Sequence, residues 1–333
     1  MNERAPQNDS SPFDKMQKAV DIVNSSPHPA NKIAATLFGR GRNDAPFSLS
    51  RTNFWPPSIR EKLGTECRIG NSSGTIHAET AVLLTASFTD GSCLCVTDPV
   101  CPNCAKNAAE AGIRALYIDH KGFAKDFAAR RGAAFDSMSM QICARAGISV
   151  YELRRKEKTL VPILESPADY TPVQDHPLER EAIADAAPET FFRLIPACRE
   201  KFSGHPFALA LARDDRGAPS YMAARAHLSP GFSESRDPEA TAAMHGKYTF
   251  VLEPINRLLM NAPRFGLKLL DGFVFSSTVP TAREQVNMAG AGLHTLYVGD
   301  TSAARDDSAR AAMKTMSAAG VLKFIPATAA AEA

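Results

Sequence analysis

Apolar positions recur every three or four residues between 14 and 23, at Met16, Ala19, Val20, Ile22 and Val23, which predicts an amphipathic helix. Residues 33–38 are rich in β-forming side chains. Asn43, Asp44 and Pro46 then make a turn, and 47–50 return as a second strand. The stretch 55–74 is polar and punctuated by proline and glycine, and reads as a long loop. A helix over 76–87, a short buried strand over 93–96 and a second helix over 102–111 follow, with Gly112 placed to end that helix in the left-handed conformation. Residues 115–118 read as a strand, 123–146 as mainly helix and 149–153 as a last strand. Between 157 and 177 there are four prolines and no sustained period, as in a linker or an arm laid across the surface.

The second half repeats this order. Residues 207–212 match the first strand, 216–219 the turn, 249–261 the helix region after the loop, and 272–276 the short buried strand. Residues 289–297 parallel 109–117, and 319–324 close the repeat as 146–151 did. The order of elements therefore predicts a duplicated domain, with copies over 11–161 and 176–326 and loose tails at 1–10 and 327–333.

With 333 residues, 44% of them apolar, the chain can bury two cores. A net charge of +2 offers no basic groove and argues against a polynucleotide substrate. Seven cysteines, an odd and scattered set, point to a reducing compartment where thiols bind metal or fill cores. No apolar h-region precedes residue 11 and no apolar run reaches the length of a membrane span, so the expected location is cytoplasmic, without a membrane partner.

The chemistry concentrates in two short motifs. His77 and Glu79 read H-x-E, and Cys101 and Cys104 read C-x-x-C about 20 residues later. One imidazole and two thiolates are three zinc ligands, which leaves a tetrahedral ion one open position, the catalytic pattern. Zinc lowers the pKa of a bound water to roughly 7. Cys101 and Cys104 fall at the start of a predicted helix, whose positive end favours thiolate. Glu79, two residues beyond a ligand, can move protons without ligating. The competing reading is a structural zinc whose fourth ligand is Cys67, Cys93 or Cys95, although alternation in a buried strand already accounts for Cys93 and Cys95.

Residues 73–119 resemble the cytidine deaminase superfamily, in its C-x-x-C branch, and within it the deoxycytidylate deaminases. The likeness is carried by the H-x-E and C-x-x-C residues, by Cys-Pro-Asn-Cys-Ala-Lys followed by Ala-Gly-Ile, and by Arg51 to Pro56 after the second strand. Two positions depart from the pattern: Val100 separates Pro99 from Cys101, and Phe54 stands where the family has glycine. The resemblance implies a three-layer α/β/α sandwich with a mixed five-stranded sheet, here present twice. It implies zinc held by His77, Cys101 and Cys104, Glu79 as the catalytic acid and base, and Asn53 and Ala78 against a small nucleobase-type substrate. Cytosine nucleosides or nucleotides lead, with guanine, adenine or another aminated heterocycle open, as is a zinc-stabilised module without turnover.

The two halves differ at these positions. Alignment of the repeat puts Val251 opposite His77, Glu253 opposite Glu79, Thr281 opposite Cys101 and Glu284 opposite Cys104. The second copy is thus expected to be metal-free, and to partner the first as an intrachain pseudo-dimer; further homo-oligomerisation stays open.

Overall fold

The computed structural model describes residues 11–125, 135–242 and 248–327. It opens with α1 (Pro12–Ile22), where Ser11 accepts a hydrogen bond from the Phe13 N–H and Pro12 sits in the first turn. β1 (Ala34–Arg40) and β2 (Pro46–Thr52) form an antiparallel hairpin. The stretch 55–74 is not the loop its polarity suggests. It holds α2 (Pro57–Leu63) and a small hairpin of β3 (Arg68–Ile69) and β4 (Ser72–Ser73). Ile59 and Ile69 are fully buried and pin it, two apolar anchors too far apart to make a period.

Next come α3 (Ala78–Thr85), β5 (Cys93–Val96), α4 (Pro102–Glu110), β6 (Ala115–Asp119), α5 (His120–Phe123), α6 (Met140–Ala146) and β7 (Ser149–Arg154). Of the helix expected over 123–146, residues 126–134 lie outside the described residues, and Phe135–Ser139 form a π-helical turn leading into α6. β8 (Thr159–Leu164) then pairs antiparallel with β7. Among the described residues the sheet therefore has six strands in the order β2-β1-β5-β6-β7-β8, not five. The expected boundary at residue 161 falls inside β8. β8 escapes pattern reading because it is an exposed edge strand carrying Pro162, tolerated only at an edge.

The second half contains β9 (Glu179–Ala182), α7 (Pro188–Lys201), β10 (Phe207–Asp214), β11 (Pro219–Arg225), β12 (His227–Leu228), α8 (Pro238–Ala242) and β13 (Val251–Leu252). It ends with α9 (Pro254–Arg264), β14 (Leu267–Val279), α10 (Ala282–Gly290), β15 (Thr295–Ala304), α11 (Asp307–Ala318) and β16 (Lys323–Pro326). Its sheet runs β16-β15-β14-β10-β11-β9, so β11, β10, β14, β15 and β16 repeat β2, β1, β5, β6 and β7 in order. The directions repeat too: hairpin strands antiparallel, the last three parallel, as crossover helices require. Tails 1–10 and 328–333 lie outside the described residues, whereas Ala327 is buried rather than loose.

Each sheet is covered on both faces, giving the expected α/β/α layering twice. In the first, Leu37, Leu94, Val96, Leu116 and Ile118 belong to the core that includes α3 and α4, while Phe38, Cys93, Cys95 and Ala115 pack with Met16 of α1. Strand alternation sorts the two faces. In the second, Phe207, Leu209 and Leu211 pack with Phe191 of α7, and Ala208, Ala210 and Ala212 join the core of α9 to α11. Among the described residues no helix is long and apolar enough to cross a membrane.

One continuous core joins the halves, from Val82 and Ala105 to Ile255, Leu258 and Leu259. α9 packs against both α3 and α4. Gly290 on α10 leaves room for Ile76, whose Cδ1 would lie 1.8 Å from any added Cβ. At the centre, Arg257 and Glu110 are both buried, with Arg257 Nε donating to Glu110 Oε1 at 2.9 Å. The same guanidinium donates to the carbonyls of Arg225 and His176, and Asn261 donates to Glu110 Oε1. Replacing one member strands the other charge. Arg257→Met is expected to cost about 3–5 kcal/mol in urea unfolding, and Glu110→Leu with Arg257→Met less than the single change. A single-variant cost under about 1 kcal/mol would contradict this.

Candidate active site

Two helix starts build the site. Phe54 and Ile76 exchange backbone hydrogen bonds of 3.1 and 2.8 Å, and His77 then caps α3. Cys101 caps α4, with Pro102 preset for the first turn, so Val100 before it leaves the helix start intact. His77 Nδ1 lies 3.5 Å from Cys101 Sγ and 3.4 Å from Cys104 Sγ. All three donor atoms sit within 4.8 Å of one another, and neither cysteine is in a disulfide. The neighbouring Cys101 sulfur, then burial, push the Cys104 thiol well above its ordinary value, so the helix end does not win unaided. A dication among the three donors reverses that balance, since a coordinating thiol is deprotonated. Two thiols and an imidazole at this spacing fit zinc.

Around the donors, Thr80 Oγ1 lies 3.7 Å from Cys104 Sγ and accepts from Asn107 Nδ2 at 3.0 Å. Such partners orient ligands; sequence reasoning missed both, although Thr80 adjoins the H-x-E motif. Glu79 is 2% exposed, and its charge is among the causes that raise Cys104. Asn53 reaches the same cavity, but its carboxamide is largely committed to the fold. Its Oδ1 accepts from Ser26 and from the Ile33 N–H, and Nδ2 donates to Asn31 O, which leaves one N–H. Ala78 is fully buried in the core and is not among the cavity-lining residues. Trp55 is buried and stacks on His28 at 5.2 Å.

The cavity is about 390 Å³ and is lined from both halves. The first half gives His77, Cys101, Cys104, Arg68 and Lys106; the second gives Arg283 and Arg305. Arg283 Nη1 donates to Thr75 O at 2.7 Å, locking α10 over the chain before α3. Lys106 donates to Val251 O at 2.7 Å, and burial pushes its amine down to about 8. Arg305 pairs with Glu253, and both line this cavity and a second one of about 920 Å³ in the second half. Sequence reasoning assigned the second half no part of this wall. The only signal was the repeat, which sets Arg283 opposite Asn103, itself cavity-lining.

The structure also shifts the register of the repeat. Glu253 caps α9 as His77 caps α3, and His227 pairs with Leu252 as Phe54 pairs with Ile76. Glu253 therefore stands opposite His77, and Ile255 opposite Glu79. Thr281 caps α10 as Cys101 caps α4, and Glu284 forms a capping box with it. Glu284 Oε1 also accepts from the Ile255 N–H at 2.8 Å, tying the two helix starts together where the first half has sulfur and imidazole.

No family model matches the chain, and no curated protein matches it. Among solved structures it is similar to the dCMP deaminase of cyanophage S-TIM5 in complex with dCMP and dUMP, with 20% identity and a TM-score of 0.30 over 43% of this chain and 99% of that one. The apo form of that enzyme gives 21% identity and a TM-score of 0.27, over 42% and 98%. Both likenesses are distant.

Burial, then the charge of Glu253, push Glu284 from an ordinary 4.5 up to about 7. The folded protein then holds a proton that the unfolded chain releases, so this group's contribution is lost as pH rises from 4.5 through about 7. Glu284→Gln should remove that slope. In urea unfolding at pH 5 and pH 8, the wild type should lose stability relative to the variant at the higher pH; parallel behaviour would refute the assignment.

Proposed function

We propose that the chain is a zinc-dependent hydrolytic deaminase of a nucleobase-type amine, with a cytosine nucleotide the favoured substrate and a guanine, adenine or other aminated ring the alternative. The observation that supports it most is the meeting of His77, Cys101 and Cys104 beside the buried carboxylate of Glu79. His77, Cys101 and Cys104 hold the metal, which when bound supplies Lewis-acid polarisation and brings a water pKa towards about 7. Glu79 takes a proton from the attacking water and returns it to the ring nitrogen, then serves the departing amine. The balance is one water consumed, one carbonyl formed and one ammonia released. Asn53 offers its remaining N–H to the ring, and Ala78 shapes the site only from within the core.

The cations favour a phosphorylated substrate. Arg68, Lys106, Arg283 and Arg305 line the cavity, against the acidic Glu253 and Asp306. A guanidinium matches phosphate geometry and can bind it through two hydrogen bonds at once. In this reading residues 11–161, extended through β8, are the catalytic domain. Residues 176–326 are a copy without the His/Cys/Cys set, with Glu253 and Thr281 at the equivalent helix starts, and wall the site as an intrachain pseudo-dimer.

Glu79→Gln should keep one zinc in this set and lose turnover by at least about 100-fold, in line with general acid–base contributions. His77→Ala, Cys101→Ala and Cys104→Ala should each lose that zinc and activity together. Loss of this zinc in Glu79→Gln would make Glu79 a ligand and overturn its role. Arg283→Ala should lower kcat/KM for a nucleoside monophosphate by about 10- to 100-fold more than for the nucleoside, the scale of one charged hydrogen bond on top of the lost Thr75 contact that both substrates share. Equal losses for both would remove the phosphate role.

A further inference from the structure

We infer that His176, His227 and Glu234 form a second metal site, for a divalent transition cation of the zinc class, separate from the His77, Cys101 and Cys104 set. Their donor atoms lie within 4.8 Å of one another. Glu234 Oε1 is 3.9 Å from His227 Nε2, and Glu234 Oε2 is 3.9 Å from His176 Nε2. Those gaps are too long for hydrogen bonds. Donors around a tetrahedral zinc stand about 3.4 Å apart, given bonds of about 2.0–2.1 Å, so each imidazole–carboxylate gap needs to close by about half an ångström and the two imidazoles by no more than about 1.4 Å.

His227 is the decisive residue. It is 3% exposed, and its Nε2 is buried with no hydrogen-bond partner among the described residues. Its Nδ1 lies 2.8 Å from Leu228 O, an acceptor only, so Nδ1 carries the proton and donates. Nε2 is left with its lone pair towards Glu234. A ring that gives one N–H to a carbonyl and aims the other nitrogen at a carboxylate is arranged as metal-bound histidines are. A buried lone pair with no donor otherwise costs free energy that nothing here returns.

The other two ligands are held in place. Arg225 Nη2 donates to Glu234 Oε2 at 2.6 Å and orients the carboxylate. The arm carrying His176 is tied down by Arg257 Nη2 on His176 O, by the Gly231 N–H on Val173 O, and by the Glu234 N–H on Asp175 Oδ2. Gly231, at φ +90°, lies against Arg145 O, where an added Cβ would come within 1.7 Å. The loop is therefore fixed before any ion arrives. His176 and Glu234 are partly exposed, which gives the ion an entry path and a water for the fourth position. Bound there, the ion fastens the 173–176 arm to the second half.

Two imidazoles and a carboxylate suit zinc and lack thiolate, so the two sites are separable by spectroscopy. The full chain is loaded with zinc, dialysed and analysed for metal, then reloaded with cobalt(II). The wild type should hold two zinc ions per chain, and Cys101→Ser with Cys104→Ser one. The remaining cobalt should show d–d absorption without a sulfur charge-transfer band. His227→Ala should drop the wild type from two ions to one. His176→Asn, at a side chain 48% exposed, should do the same with folding intact by circular dichroism. One zinc per wild-type chain, unaffected by either histidine change, would overturn the second site. Two zinc ions unaffected by the cysteine changes would instead refute the first set.

Discussion

The architecture depends on bringing two helix starts to one point. His77 and Cys101 are cap residues, each the last extended residue before a helix, and Cys104 lies one turn further on. Their donors meet because β2, β5 and β6 all run one way, so the successive crossovers from β2 to β5 and from β5 to β6 place α3 and α4 side by side on one face of the sheet. The Cys101 sulfur beside it, and then burial, keep the Cys104 thiol protonated without an ion, and a cation held by the three donors would reverse that preference. Thr80 and Asn107 then orient the sulfur from the same two helices.

The second half solves the same geometric problem with different chemistry. Its equivalent helix starts are joined by a carboxylate, with Glu284 accepting from Thr281 and from the Ile255 N–H. A capping box and a cross-helix hydrogen bond do for α9 and α10 what a metal would do for α3 and α4. The freed surface faces the neighbouring site instead. Arg283 and Arg305 line the first cavity, and the Arg305 pair with Glu253 borders both. Arg257 and Glu110 hold the halves in that register from within the shared core.

Much of this was legible in the sequence. The repeat was legible in the order of elements and the His77, Cys101 and Cys104 set in the motif spacing, while the α/β/α layering came from the family resemblance. What escaped had physical reasons. β8 is an exposed edge strand with a proline, and α2 with the β3–β4 hairpin rests on two isolated isoleucines, so neither produces a period. The register of Glu253 slipped by two because helix caps, invisible to side-chain similarity, set the true correspondence. Arg283, Arg305 and the engagement of the Asn53 carboxamide depend on contacts more than twenty residues apart in sequence, and no local pattern encodes them.

The most direct measurement is ammonia release by the zinc-loaded chain against cytosine, guanine and adenine as bases, nucleosides and monophosphates. The account predicts turnover of a cytosine nucleotide, with the monophosphate preferred to its nucleoside. Ammonia from none of them, with zinc bound by His77, Cys101 and Cys104, would contradict it and leave that metal a structural one.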